Sequence, residues 1–464
     1  MTTLYYDYSQ SEIRPPTQRR GPSLWPGALM ILVPLAFVLL ITAVIDLTTA
    51  GIVYALAVLI LSFTRPHIAL ALAFALAPFV EELPIPGPVH ISIGEFTLAL
   101  CLPAFLITGS RNLRFPAFLF CTILYVGACL VSCIANVDKE ALTAMIQTVL
   151  YLIVTVLIFS SFLRNPAHFV FILEAALVVI VFLAFLTYTP IAASLGLHKN
   201  ALGASMSTST VIAIECWFAS VRNPKRRRIL MGVVIFLSIT LLYTLSRGAW
   251  LGAMTGVFVI ICLRRQFKLF GILLAILVPL VVILFLLLPE DRQNYAIGFD
   301  ADRVNIAARY ATIDYSLELF RSSPIYGVGI SLRKVIDATN IVCVALAESG
   351  LLGFFTFALM HFAVLRSAWR TQKLIPRSDT LYSPVALGGA LVIARLTHGL
   401  VDHYWSRGPI LQAWAAAGMC TAIYFYAMKR RALAKKKQKL RSAPTSQAFL
   451  PGTPSNTSNP FQTF

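Results

Sequence analysis

A chain of 464 residues is long enough for several soluble domains, yet 58% of it is hydrophobic and only 12% is charged, about half the charge of an ordinary globular domain. The apolar residues fall in nearly charge-free runs of about 20, the length that spans hydrocarbon, and this excludes a soluble fold. The net charge of +18 does not point to nucleic acid, because its densest run, KRRALAKKKQKLR (429–441), directly follows the last apolar block, where the flank of a membrane span beside anionic lipid is basic.

In hydrocarbon only helices or closed barrels satisfy the backbone. The runs show no period-2 alternation, so the chain is predicted to be an all-α, polytopic transmembrane helical bundle of about 12–14 spans. In chain order, residues 1–25 are polar and form a cytoplasmic N-terminal segment; no small-residue cleavage site follows, so the first apolar run reads as a retained span. Candidate spans then lie near 26–45, 50–63, 67–80, 95–108, 115–135, 143–163, 167–188, 203–220, 229–246, 248–263, 268–288, 341–365, 383–402 and 409–428, which makes 26–428 the transmembrane domain. With both termini inside, most of the 38 Lys and Arg fall on the cytoplasmic side, as the positive-inside rule requires. The stretch 289–340 is then a large periplasmic loop. TIDYSLELF (312–320) within it has apolar residues at helical spacing, which predicts a short surface helix. Residues 429–464 form a cytoplasmic tail, first basic and then Ser, Thr, Pro and Asn-rich, with the composition of disorder. The eight cysteines sit mostly in apolar blocks without metal-ligand spacing and read as small buried residues.

Four polar stretches stand out against this background. In LSRGAWLGAM (245–254) the chain turns between two spans, leaving Arg247 at the lip of the membrane. Such a cation either snorkels to headgroups or marks a ligand site. HKNALG (198–203) places Lys199 and Asn200 ahead of a helix N-terminus, a combination that suits an anion or simply caps a helix. PIYGVG (324–329) is a Pro/Gly turn that ends the surface helix, after which ESGLLG (348–353) carries Glu348 into a span. RLTHGLVDHYWSRG (395–408) sets His398 and Asp402 four residues apart on one helical face, with His403 beside them. They can form a structural hydrogen-bonded pair or a catalytic one, and Tyr404 and Trp405 suit an interfacial aromatic belt.

HKNALG, SRGAW, the PxxGVG turn and the ESGLLG span entry, in this order and around one large loop, resemble the O-antigen ligase and polymerase superfamily of bacterial envelope glycan enzymes. The resemblance covers roughly residues 195–425. It implies metal-independent glycosyl transfer, without a cofactor, from an undecaprenyl-diphosphate-linked glycan donor to the hydroxyl of a lipid- or glycan-linked acceptor. The implied location is the bacterial inner membrane, with the catalytic face periplasmic and with membrane lipids and other polysaccharide-assembly proteins as partners. The family's membrane-edge arginine maps onto Arg247, and its loop arginine onto Arg309, with Arg303 as the alternative. Asn340 falls where the family carries His-Asn; the histidine position is Thr339, which cannot act as a general base near neutral pH. A replacement base would then come from His398, His403 or a loop carboxylate such as Asp337. The expected site is therefore Arg247, Arg309, His398 and His403 for chemistry, with Arg303, Lys199, Asn200, Asn340 and Asp402 for binding. A permease using Glu174, Glu215 and Arg395 is the rival reading, and a catalytically weak scaffold of an assembly complex is another. A permease would carry matched, broken inverted repeats, and the sequence has none.

Overall fold

A computed structural model describes residues 24–83, 91–110, 113–136, 139–189, 199–287, 289–290, 293, 304–335, 340–405 and 407–442. In chain order the helices used below are α1 (Leu24–Ile45), α2 (Leu47–Thr64), α3 (Pro66–Leu76), α4 (Ile93–Ala104), α5 (Ala117–Ala135), α6 (Lys139–Val149), α7 (Thr155–Ser161), α8 (Ala167–Leu186), α9 (Lys199–Ala219), α10 (Pro224–Tyr243), α11 (Arg247–Arg264), α12 (Phe267–Leu286), α13 (Val304–Ser322), α14 (Leu332–Val335), α15 (Ile341–Gln372), α16 (Tyr382–Gly399) and α17 (Arg407–Ser442). Every predicted span coincides with a helix. Among the described residues, eight helices are long and apolar enough to cross a membrane, and Pro66–Leu76 and Ile93–Gly109 are shorter apolar helices. The chain is a multi-pass helical membrane protein.

Local signals set the helix ends. Asp46 accepts the Thr48 and Thr49 backbone N–H groups to start α2, and Ser92 with Glu95 forms a capping box on α4. Asn223 caps α10, with Pro224 in its first turn. A π-helical turn at Leu150–Val154 joins α6 to α7. The surface helix predicted at 312–320 is the C-terminal half of α13, which starts at Val304 and so carries Arg309 within it.

The packing of α9, α11 and α16 fixes the part of the bundle that matters most. Gly248, Gly252 and Gly256 recur every four residues along α11, the small-residue spacing that lets membrane helices approach closely. A Cβ on Gly248 would lie 2.8 Å from His398 Cδ2, one on Gly252 2.9 Å from the Ala394 carbonyl, and one on Gly256 2.7 Å from Val211 Cγ2. Gly203 of α9 meets Ser246 and Ala249 in the same way. Residue numbers rise together along α9 and α11 and fall along α16. Hence α9 and α11 start at the end of the bundle where α16 finishes.

Glu215 and Glu174, two charges that a permease reading would employ, are committed to ion pairs. Glu215 pairs with Arg264 in the interior, and the Arg264 guanidinium also donates to the Arg377 carbonyl at 2.9 Å. Glu174 pairs with Arg226 at 2.7 Å and accepts the Trp25 indole N–H at 2.7 Å.

One helix is broken. α15 runs for 32 residues, but Gly350 has φ 61° and ψ −164°, a conformation essentially restricted to glycine. The PIYGVG turn docks into this break: Leu351 N donates to the Pro324 carbonyl at 2.9 Å, Val328 N to Ala347 at 2.9 Å, and Gly329 N to Glu348 at 3.1 Å. The two motifs therefore form one structural unit in which the loop supplies partners for backbone groups that the break releases. A methyl group at residue 350 would run into the Ile325 carbonyl. Gly350→Ala is expected to cost at least about 1–3 kcal/mol, seen as a lower thermal midpoint in detergent.

Candidate active site

The turn between α10 and α11 delivers Arg247. Leu245 takes a left-handed conformation with φ 52°, which costs a non-glycine residue about 1–3 kcal/mol and is common at functional sites. Trp250 Nε1 donates to the Leu241 carbonyl at 3.0 Å and staples the turn. Ser246 is extended, so Arg247 is the first helical residue of α11, half-buried at its positive end. Gly248, the next residue, abuts the His398 ring.

His398 is the point at which several elements meet. Arg309, partly exposed on α13, lies within electrostatic reach of it. Its Nε2 faces Asp402 Oδ2 at 3.5 Å, and its Nδ1 accepts from Arg395 Nη1 at 2.9 Å. Asp402 Oδ1 accepts the His403 backbone N–H at 2.7 Å. Lys199 and Asn200 begin α9, and the glycine register brings that helix start to the same end.

A second cluster supports the 400–405 segment from below. Arg333 on the short helix α14 donates from Nε to both Glu348 oxygens at 3.0 Å, and from Nη1 to Thr148 at 3.0 Å. Its guanidinium lies over the Trp405 ring, 3.9 Å from the centroid. The Arg333 and Glu348 side chains are both buried, at 3% and 1% exposure. Tyr404 donates or accepts at His361 Nε2 over 2.8 Å and stacks edge-on against Trp405.

Arg247, His398, His403, Asp402 and the start of α9 are thus gathered at one end of the bundle, with Arg309 within electrostatic reach of His398. Asn340 caps α15, its amide oxygen accepting from Val342 N at 2.9 Å, so this oxygen is engaged in helix capping. Arg303, Asp337 and Thr339 lie outside the described residues. Sequence reasoning passed over Arg333, whose pairing with Glu348 has no fixed motif spacing. It placed Arg395 inside a span and left its partners unnamed, since the carbonyls it holds leave no mark in side-chain types. The GxxxGxxxG spacing at Gly248, Gly252 and Gly256 was a legible signal for the α11 interface. Among the described residues, no group of three or more His, Cys, Asp or Glu is placed to hold a metal ion.

No curated protein matches the chain. A family model described as O-antigen ligase matches residues 232–358. The matched span runs from α10 through the Arg247 turn, α13 and the PIYGVG–ESGLLG unit; His398 and Asp402 lie beyond it. Between residues 232 and 358, this multi-pass membrane protein is O-antigen ligase-like.

Proposed function

We propose that the chain transfers a glycan from an undecaprenyl-diphosphate carrier to an acceptor hydroxyl at the periplasmic face of the bacterial inner membrane, with both termini cytoplasmic. Arg247 and Arg309 clamp the diphosphate, and Lys199, Asn200 and Arg303 add to its binding. Guanidinium groups suit this task because they grip phosphate oxygens through two N–H bonds and stay charged at any physiological pH. The positive ends of α9 and α11 add to the same field. As the glycosidic C–O bond breaks, negative charge builds on the leaving diphosphate. Fixed cations at a water-poor membrane edge contribute about 3–4 kcal/mol per well-placed donor to that moment.

The observation that carries this reading is the packing of the Arg247–Gly248 helix start against the His398 ring, which also lies within electrostatic reach of Arg309 from a separate segment of the chain. The family match over 232–358 supports glycosyl transfer of the O-antigen ligase kind. The purified chain in proteoliposomes, given a lipid-diphosphate-linked glycan and an acceptor, is expected to turn the donor over; a permease or a scaffold would leave it intact. Deleting the gene then separates the two forms of the reaction. Loss of long chains with single units still attached marks a polymerase, and unattached lipid-linked polymer marks a ligase.

A further inference from the structure

Arg395 is a cation in the interior of α16 that the diphosphate clamp does not employ. Its side chain is buried, and it donates to the Tyr404 carbonyl at 2.7 Å and to the His403 carbonyl. It thereby ties the segment after α16 back onto the helix. Its third bond goes to His398 Nδ1 at 2.9 Å. A guanidinium has no lone pair to offer, so the ring nitrogen must be the acceptor. A neutral His398 therefore carries its proton on Nε2, the atom that faces Asp402 Oδ2 at 3.5 Å. Nε2 is buried, and the Asp402 carboxylate is the group it faces. With Nδ1 engaged and Nε2 protonated, the ring has no free lone pair for a substrate proton. Asp402, by contrast, has an accessible edge, with 12% of its side chain exposed against 4% for His398.

We infer that Asp402 is the group that accepts the proton of the acceptor hydroxyl, and that His398 and Arg395 are positioning residues that hold its carboxylate in place. This rests on the glycosyl-transfer reading above. In the step, the acceptor oxygen bonds to the anomeric carbon while that carbon's bond to the phosphate oxygen breaks. The electron pair of the broken bond leaves on the diphosphate, held by Arg247 and Arg309. The hydroxyl proton passes to Asp402 and then to water once the product has left. This chain carries Thr339 where the resemblance places a histidine, and a carboxylate just after α16, beside the His398 ring that the Arg247–Gly248 helix start packs against, supplies a base from another element. The charged and titratable groups acting on Asp402 are His398 and Arg395 of α16 and the adjacent His403, while Arg309 of α13 and the Arg247–Gly248 start of α11 reach His398 beside it.

Steady-state transfer in proteoliposomes tests the assignment through variants that separate a base from a positioning group. Asp402→Asn keeps the size of the side chain and is expected to lower kcat by about 100- to 10,000-fold with the donor KM unchanged. Asp402→Glu recovers part of the rate and, with a thermal midpoint, controls for folding. His398→Gln keeps an acceptor toward Arg395 and an N–H toward Asp402, so it stays within about tenfold of the parent, while His398→Ala falls further. Wild-type kcat in Asp402→Asn, or His398→Gln as inactive as His398→Ala, would overturn the inference. Arg247→Glu and Arg309→Glu, run alongside, separate the two levels. If both remain active the clamp itself is wrong; if both are dead while Asp402→Asn works, the base assignment alone is wrong.

Discussion

Arg247→Glu and Arg309→Glu each lower glycan transfer at least about a hundredfold, while the protein still inserts and folds. The magnitude follows from what the two cations face. Removing one preorganised donor from a developing oxyanion costs about 100- to 1000-fold, and charge reversal adds repulsion against a diphosphate. Insertion survives because neither side chain sits in the packed interior: both are partly exposed at one end of the bundle. The lysine variants sharpen the prediction. Lysine keeps the charge but loses the planar fork, so Arg247→Lys is expected to retain more activity than Arg247→Glu and less than the parent. The readouts are transfer in proteoliposomes, membrane yield and a thermal midpoint in detergent.

Glu348→Ala has the largest expected effect on stability, about 3–5 kcal/mol. The carboxylate accepts the Arg333 backbone N–H at 2.8 Å as well as its guanidinium. Its removal leaves a cation buried at 3% exposure without a counter-charge. The penalty comes from the stranded charge more than from the lost attraction, so Arg333→Met combined with Glu348→Leu should restore part of the stability. Activity should not return with it, because Arg333 also lies under Trp405, in the segment that carries Asp402. Thermal unfolding of the single and double variants, compared with their transfer rates, checks both halves. A single variant as stable as the parent would refute the buried-strut role of Glu348.

The spans were legible because hydrocarbon imposes a length and a polarity that no other constraint mimics: each predicted block coincides with a helix. Arg247 stood out for the same reason, as a cation beside an otherwise apolar run. The loop helix was legible only where its apolar residues recur, over 312–320; the part carrying Arg309 has no such stripe and came from the structure. ESGLLG read as the start of a span, yet Gly350 breaks that helix and receives the PIYGVG turn. Apolar periodicity continues through such a break, so composition could not disclose it. The partners of Arg395 are mostly backbone carbonyls, which every residue possesses. The order of the chain along α9, α11 and α16 was accessible in principle through the repeated glycines, since close helix approach requires small residues at that spacing.

If cations from separate segments hold a diphosphate headgroup, the purified protein in detergent binds undecaprenyl diphosphate directly, a test that makes no reference to catalysis. Binding is expected to be saturable, stronger than for an uncharged polyprenol, and weakened about tenfold or more in Arg247→Ala and in Arg309→Ala, one lost charge-assisted bond being worth about 1.5–3 kcal/mol. Equal affinity for diphosphate and uncharged lipid, or binding untouched by both substitutions, would contradict the clamp.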